Sequence, residues 1–138
     1  MEITEIPKYQ NEREFEKSFA EQAKWLKGWL YVKIPDVIPR RTEAGTYYVP
    51  EAHKRPFDGI LCTRRSNIAV ELKYKGGRLK VHQRKILEQI SELNEQAMVI
   101  RYRPRKGFVV EYYQDGVWEK SFDFPDYNSL FDWIDEVF

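Results

Sequence analysis

Phe57-Asp58-Gly59-Ile60-Leu61-Cys62 and Ile68-Ala69-Val70-Glu71-Leu72-Lys73 are the two stretches on which the reading of this chain turns. The second is β-branched and mostly apolar, the composition of a strand, and the first reads as the strand before it. Arg64-Arg65-Ser66-Asn67 stands between them as a short polar turn. Paired as a tight hairpin centred on Arg65 and Ser66, the two runs set Asp58 opposite Lys73 and Ile60 opposite Glu71. Side chains alternate faces along a strand, and directly opposed residues share a face. Asp58, Glu71 and Lys73 then crowd one face near one end, while Phe57, Leu61, Val70 and Leu72 line the other as core. Isolated buried charges are costly and require partners or a metal ion. Two carboxylates and one ammonium around an ion meet that requirement. A cross-strand salt bridge on a half-exposed sheet meets it as well. The number of parts favours a site: Pro56 ahead of the strand, Asp58 near its start, a short turn, and Glu71-Leu72-Lys73 closing an apolar run.

Outward from this hairpin, the chain reads as one domain of 138 residues, long enough for a real core. Asn11 offers an N-cap with Glu14 three residues on, as in a capping box. Phe15, Phe19, Ala23 and Leu26 follow at helical spacing, and Gly28 ends that helix. Residues 29–34 read as the first strand. Pro35 to Arg55 is a long loop with three prolines, and loops of that length in compact domains are usually functional or disordered. Gly76-Gly77 breaks the chain after the hairpin. The spacing predicts a second helix from Val81 to Asn94, with Ile86, Leu87, Ile90 and Leu93 inward. Residues 97–102 and 107–113 read as strands around a basic turn, and Asp115-Gly116 as another turn. A further strand is expected over 117–122. Asp126 can cap a final helix with Leu130, Phe131, Ile134 and Val137 inward. The expected order is α-β-β-β-α-β-β over about residues 12–113, with a small C-terminal extension over 114–138.

Net charge is only +1, but its distribution is uneven. Residues 1–72 carry 12 Lys/Arg and 11 Asp/Glu, residues 73–106 carry 10 and 3, and residues 107–138 carry 1 and 8. The basic segment begins at the proposed site, where a polyanionic substrate needs it. A lone cysteine, Cys62, rules out an internal disulfide framework and reads as a small buried hydrophobe. With only His53 and His82 in the chain, no zinc site is expected. No signal peptide and no membrane-spanning apolar run is seen, so a cytoplasmic location and no membrane partner are expected.

Pro56-Phe57-Asp58 and Glu71-Leu72-Lys73, with a helix before and a helix after, resemble the PD-(D/E)xK nuclease superfamily over about residues 12–102. Within it the chain is most similar to the small Holliday-junction resolvases of archaea and phages, and next to VRR-NUC domains. Phe15-Glu16 matches the aromatic-Glu pair at which those resolvases place a further acidic ligand; Glu12, Glu14 and Glu21 compete for that role. Where archaeal resolvases carry a Ser in a Gly-Ser-Gly loop, this chain has Arg40, Arg41, Thr42 and Thr46. The resemblance implies a single α/β, restriction-endonuclease-like domain with a central mixed β-sheet flanked by helices. It implies Mg²⁺, with Mn²⁺ as a substitute, held by Asp58, Glu71, the Leu72 carbonyl and Glu16, while Lys73 orients water or neutralises phosphate.

Gln83 falls on the apolar stripe of the second helix and needs a partner. It could steady Lys73 or touch phosphate, or be a helix-start residue half in solvent. Arg101, Arg103, Arg105 and Lys106 alternate around a strand turn, as a solvated edge or as a phosphate-contacting ridge. Lys75, Arg78, Lys80 and His82 follow the site, and Arg40, Arg41, Lys54 and Arg55 lie in the long loop; both groups are candidate DNA contacts. The implied activity is a structure-selective endonuclease on branched four-way DNA. Two symmetric nicks require two sites, hence a homodimer. The alternatives are a repair or restriction-type nuclease of the same fold, or a catalytically dead nucleic-acid-binding module.

Overall fold

The computed structural model describes residues 9–35, 40–48, 56–93, 96–114 and 117–138. Helix α1, Glu12–Lys27, starts where the sequence predicts: Asn11 is extended and its Oδ1 accepts the Glu14 N–H at 2.9 Å. The Glu14 carboxylate reaches back to the Gln10 N–H at 2.8 Å, one residue earlier than a reciprocal capping box requires. Gly28 closes the helix at φ 70, a left-handed conformation that favours glycine.

Strands β1 (Leu30–Lys33), β4 (Gly59–Cys62), β5 (Asn67–Tyr74), β6 (Gln96–Arg103), β7 (Gly107–Gln114) and β8 (Val117–Phe124) form one six-stranded sheet in the order β1-β4-β5-β6-β7-β8. Only β5 and β6 run parallel; the other pairs are antiparallel. Helix α2, Val81–Glu92, supplies the crossover that a parallel pair needs. Within the long loop, Arg40–Arg41 (β2) and Tyr47–Tyr48 (β3) pair as a separate two-stranded hairpin. The Asp115-Gly116 turn lies outside the described residues.

Alternation along the strands sorts the core into two layers. Leu61, Ile68, Val70, Leu72, Met98, Ile100, Tyr102, Phe108 and Val110 face α1 and the C-terminal helix α3, Tyr127–Val137. Ala69, Ala97, Val99 and Tyr113 face α2, where Leu87 is fully buried. The fold is therefore an α/β domain with a mixed sheet between helices, as expected. Residues 114–138 do more than extend it. β8 completes the sheet, and Leu130, Phe131 and Ile134 are fully buried in the larger core. Two expected core positions are corrected: Leu93 is 75% exposed and Val137 is 47% exposed. Leu93 caps the end of α2 and Val137 is the last residue of α3, so both stand where the helix runs out.

No helix among the described residues is long and apolar enough to cross a membrane.

Candidate active site at the β4–β5 hairpin

The hairpin register differs from the one predicted. Gly59 faces Val70, Ile60 faces Ala69, Leu61 faces Ile68 and Cys62 faces Asn67. The cause is the turn. Thr63 N–H donates to the Ser66 carbonyl at 2.9 Å, and the Thr63 hydroxyl oxygen accepts from the N–H groups of Arg65 and Ser66. The turn is thus centred on Arg64 and Arg65, one residue earlier than expected. Because each partner moves by two positions, no side chain changes face. Continued by one residue, this register aligns Asp58 with Glu71 rather than with Lys73. Phe57 is corrected too: it packs with Ala69, Leu87 and Val99 on the α2 side. It precedes β4 in a bend, so strand alternation does not govern it.

Asp58, Glu71 and Lys73 are 3%, 2% and 7% exposed. Asp58 Oδ2 accepts the Leu72 N–H at 2.6 Å, replacing a ladder bond beyond the end of β4. In a strand the N–H and C=O of one residue point to the same edge, so the Leu72 carbonyl also faces the Asp58 side. Lys73 Nζ stands 3.4 Å from Glu71 Oε1. Glu71 Oε2 is buried and has no hydrogen-bond partner. Burial, then the neighbouring Asp58 carboxylate, push the Glu71 carboxyl up to about 8 against the opposing pull of Lys73.

Glu16 lies on α1, and its carboxylate is engaged by two residues of β1. Tyr31 on β1 donates its hydroxyl to Glu16 Oε2 at 2.9 Å, and Lys33 Nζ is 3.1 Å from Glu16 Oε1. These three residues line a cavity of about 250 Å³ between α1 and β1. Burial and the charges of Glu16, Asp58 and Glu71 hold the Tyr31 phenol well above its ordinary range. Its hydroxyl thus lies within electrostatic reach of all three carboxylates. Tyr31 and Lys33 were not identifiable as site residues in the sequence, where they read as ordinary strand residues. Gly59 was a usable signal, since a glycine inside a strand marks close approach. A Cβ there meets Tyr31 Cζ and the Val32 carbonyl oxygen, each at 2.6 Å.

Gln83 is 5% exposed rather than half in solvent. Its Oε1 accepts the Lys80 N–H at 3.2 Å, so it caps the start of α2 from within. The candidate DNA contacts divide. Lys75, Arg78 and Arg103 line a cleft beside the site. Lys80 and Arg105 are exposed outside its lining, Arg41 is exposed on the β2–β3 hairpin, and His82 is half-buried on α2. Arg40 begins that hairpin in β2. Lys54, Arg55 and His53 lie outside the described residues.

Among the described residues, no group of three or more His, Cys, Asp or Glu side chains converges as a metal site. The donors that do converge are Asp58, Glu71 and the Leu72 carbonyl. This all-oxygen set with two carboxylates fits Mg²⁺, which keeps several waters and is usually held by one or two carboxylates plus substrate phosphates. The crowding of the two carboxylates is the observation that makes the fit specific: burial and the neighbouring Asp58 raise the cost of ionising Glu71, and a bound cation would offset that cost.

No protein-family model matches the chain, and no curated protein does. Its fold matches the solved structure of Hjc, a Holliday junction resolvase from the archaeal hyperthermophile Archaeoglobus fulgidus. The TM-score is 0.51 at 16% sequence identity, over 80% of this chain and 87% of that one. At that identity the likeness is one of fold. The sheet and flanking helices are consistent with a restriction-endonuclease-like core.

Proposed function

We propose that this chain is a metal-dependent DNA endonuclease of the PD-(D/E)xK type, acting on branched DNA such as four-way junctions and working as a homodimer. The observation that carries the reading is the buried Asp58–Glu71 pair, with Lys73 Nζ 3.4 Å from one Glu71 oxygen and the other oxygen unpartnered. The likeness in fold to a junction resolvase supports it.

Asp58, Glu71 and the Leu72 carbonyl would hold Mg²⁺, with Mn²⁺ as a substitute. The chemistry the ion supplies when bound is a water of lowered pKa and neutralisation of phosphoryl oxygens. Lys73 stands where it can orient the attacking water or take charge from the phosphate. Gln83 steadies the start of α2 above this face, within the same layer. Glu16 acts through Tyr31 and Lys33, from the edge of the site. Lys75, Arg78, Lys80, His82, Arg103 and Arg105, with Arg40, Arg41, Lys54 and Arg55, supply phosphate contacts that position DNA without reading bases.

The experiment is cleavage of labelled four-way junction, duplex, flap and single-stranded DNA, with Mg²⁺ and with chelator. Junction cleavage that needs the ion and disappears in Asp58→Asn and Glu71→Gln, with DNA binding retained, is expected. Full activity in either variant removes the metal-site claim. Binding of all four DNAs with no cleavage by the wild type assigns the chain to a dead binding module.

A further inference from the structure

A cleft of about 600 Å³ opens on the same sheet face as Glu71 and Lys73, over Val99, Arg101 and Arg103 of β6 and Glu111 of β7, and is walled by the Lys75–Leu79 connection that follows β5. Lys75, Arg78, Arg84, Arg101 and Arg103 line it, and among the described residues Glu111 is its one acidic lining residue. Its position relative to the site follows from register. Lys73 pairs with Arg101, Glu71 with Val99, and Val99 with Glu111. Paired residues share a face and adjacent strands lie about 4.8 Å apart. The cleft therefore begins one strand away from the carboxylates. Arg101 has a different task from its neighbours: it donates to the carbonyls of Lys75 and Gly77 at 2.7 and 2.6 Å, and so shapes the connection that forms one wall. The remaining cations are on exposed residues, and Arg84 also lies beside Tyr113, whose phenol burial raises and this guanidinium lowers. Leu79 and Val99 add apolar surface within the cleft.

We infer that this cleft seats a single DNA strand one to three nucleotides from the phosphate at the Asp58–Glu71 pair. The cationic side chains of Lys75, Arg78, Arg84 and Arg103 would take successive phosphates, and Leu79 and Val99 the face of a sugar or base. Successive phosphates of a stacked strand rise about 3.4 Å, and one to two strand spacings are about 5–10 Å. The two backbones of a duplex stand about 12 Å apart across the major groove, so a cleft of about 600 Å³ admits one of them and not both. The substrate would be held by one strand peeled from its partner at the cleft. This rests on the nuclease reading for the identity of the strand and for the phosphate at the Asp58–Glu71 pair.

The test is equilibrium binding of a fluorescein-labelled ten-residue oligothymidylate in chelator, across a salt series, beside a duplex of the same length. Arg78→Ala/Arg84→Ala should weaken single-strand binding roughly tenfold per lost contact and flatten the log–log salt slope by about 1.4. Arg64→Ala, on the turn at the opposite end of β5, removes the same type of charge and should change neither. Duplex binding should respond less than single-strand binding to the double variant. Equal weakening by Arg64→Ala, or equal responses of duplex and single strand, overturns the inference. Cleavage with Mg²⁺ is scored separately. Loss of the predicted arginine dependence with cleavage intact defeats the cleft alone, and intact cleft binding without any cleavage defeats the nuclease reading alone.

Discussion

Replacing Glu71 with Gln should stabilise the metal-free protein above pH 8, although it removes a residue of the proposed site. Glu71 is 2% exposed, faces Asp58, and has one oxygen without a partner. Its carboxyl is carried from the ordinary 4.5 to about 8. At about 1.36 kcal/mol per pH unit, ionising it costs the folded state on the order of 5 kcal/mol. The sign follows from proton binding. Below pH 4.5 the group is protonated in both states and contributes nothing. Between 4.5 and 8 the unfolded chain releases the proton and the folded one keeps it, so stability falls as pH rises; above 8 the loss is complete. A Gln of the same shape carries no such term. Urea unfolding of wild type and Glu71→Gln in chelator, from pH 4.5 to 9, should give curves that separate steadily, with the variant a few kcal/mol more stable at the alkaline end. Adding millimolar Mg²⁺ at pH 8 should raise the wild-type midpoint and leave that of the variant in place, since ligands stabilise the state they bind. Parallel pH curves, or a variant less stable than wild type at pH 9, would refute the reasoning.

Three further outcomes follow from the same geometry. Gly59→Ala places a Cβ 2.6 Å from both the Tyr31 ring and the Val32 carbonyl oxygen; overpacking of this kind should cost about 1–3 kcal/mol, and an unchanged thermal midpoint would contradict it. Asp58→Ala strands the Leu72 N–H and should cost about 1–3 kcal/mol in urea unfolding, whereas Asp58→Asn, which keeps an acceptor oxygen, should lose much less. Glu16→Gln should lower the cleavage rate strongly, while Glu14→Gln, whose carboxylate serves only the Gln10 N–H among the bonds seen, should leave it near wild type. Equal tolerance at both positions would confine α1 to packing.

Local signals were sufficient for most of the architecture. The Asn11 cap, the Gly28 stop, the apolar spacing of Phe15, Phe19 and Ala23, and the Asp126 cap each act within a few residues, so the sequence alone located α1 and α3. The alternation in β4 and β5 likewise placed Glu71 and Lys73 on one face, and parity preserved that face when the register shifted. Register itself was decided by the Thr63–Ser66 hydrogen bonds, which select one turn among several that the same polar residues permit. Leu93 and Val137 kept the helical period but lost burial, because each stands where its helix runs out.

The grip of Tyr31 and Lys33 on Glu16 depends on β1 pairing with β4 while α1 packs across it, a contact between segments that carry no mark of one another. The cleft beside the site needs three strands in register and the start of α2. The sequence by itself determined which residues could carry charge into a core, since that choice is made by residue type and strand alternation. Only the tertiary structure decided which of those charges meet, because meeting is set by the pairing of distant strands and the docking of helices.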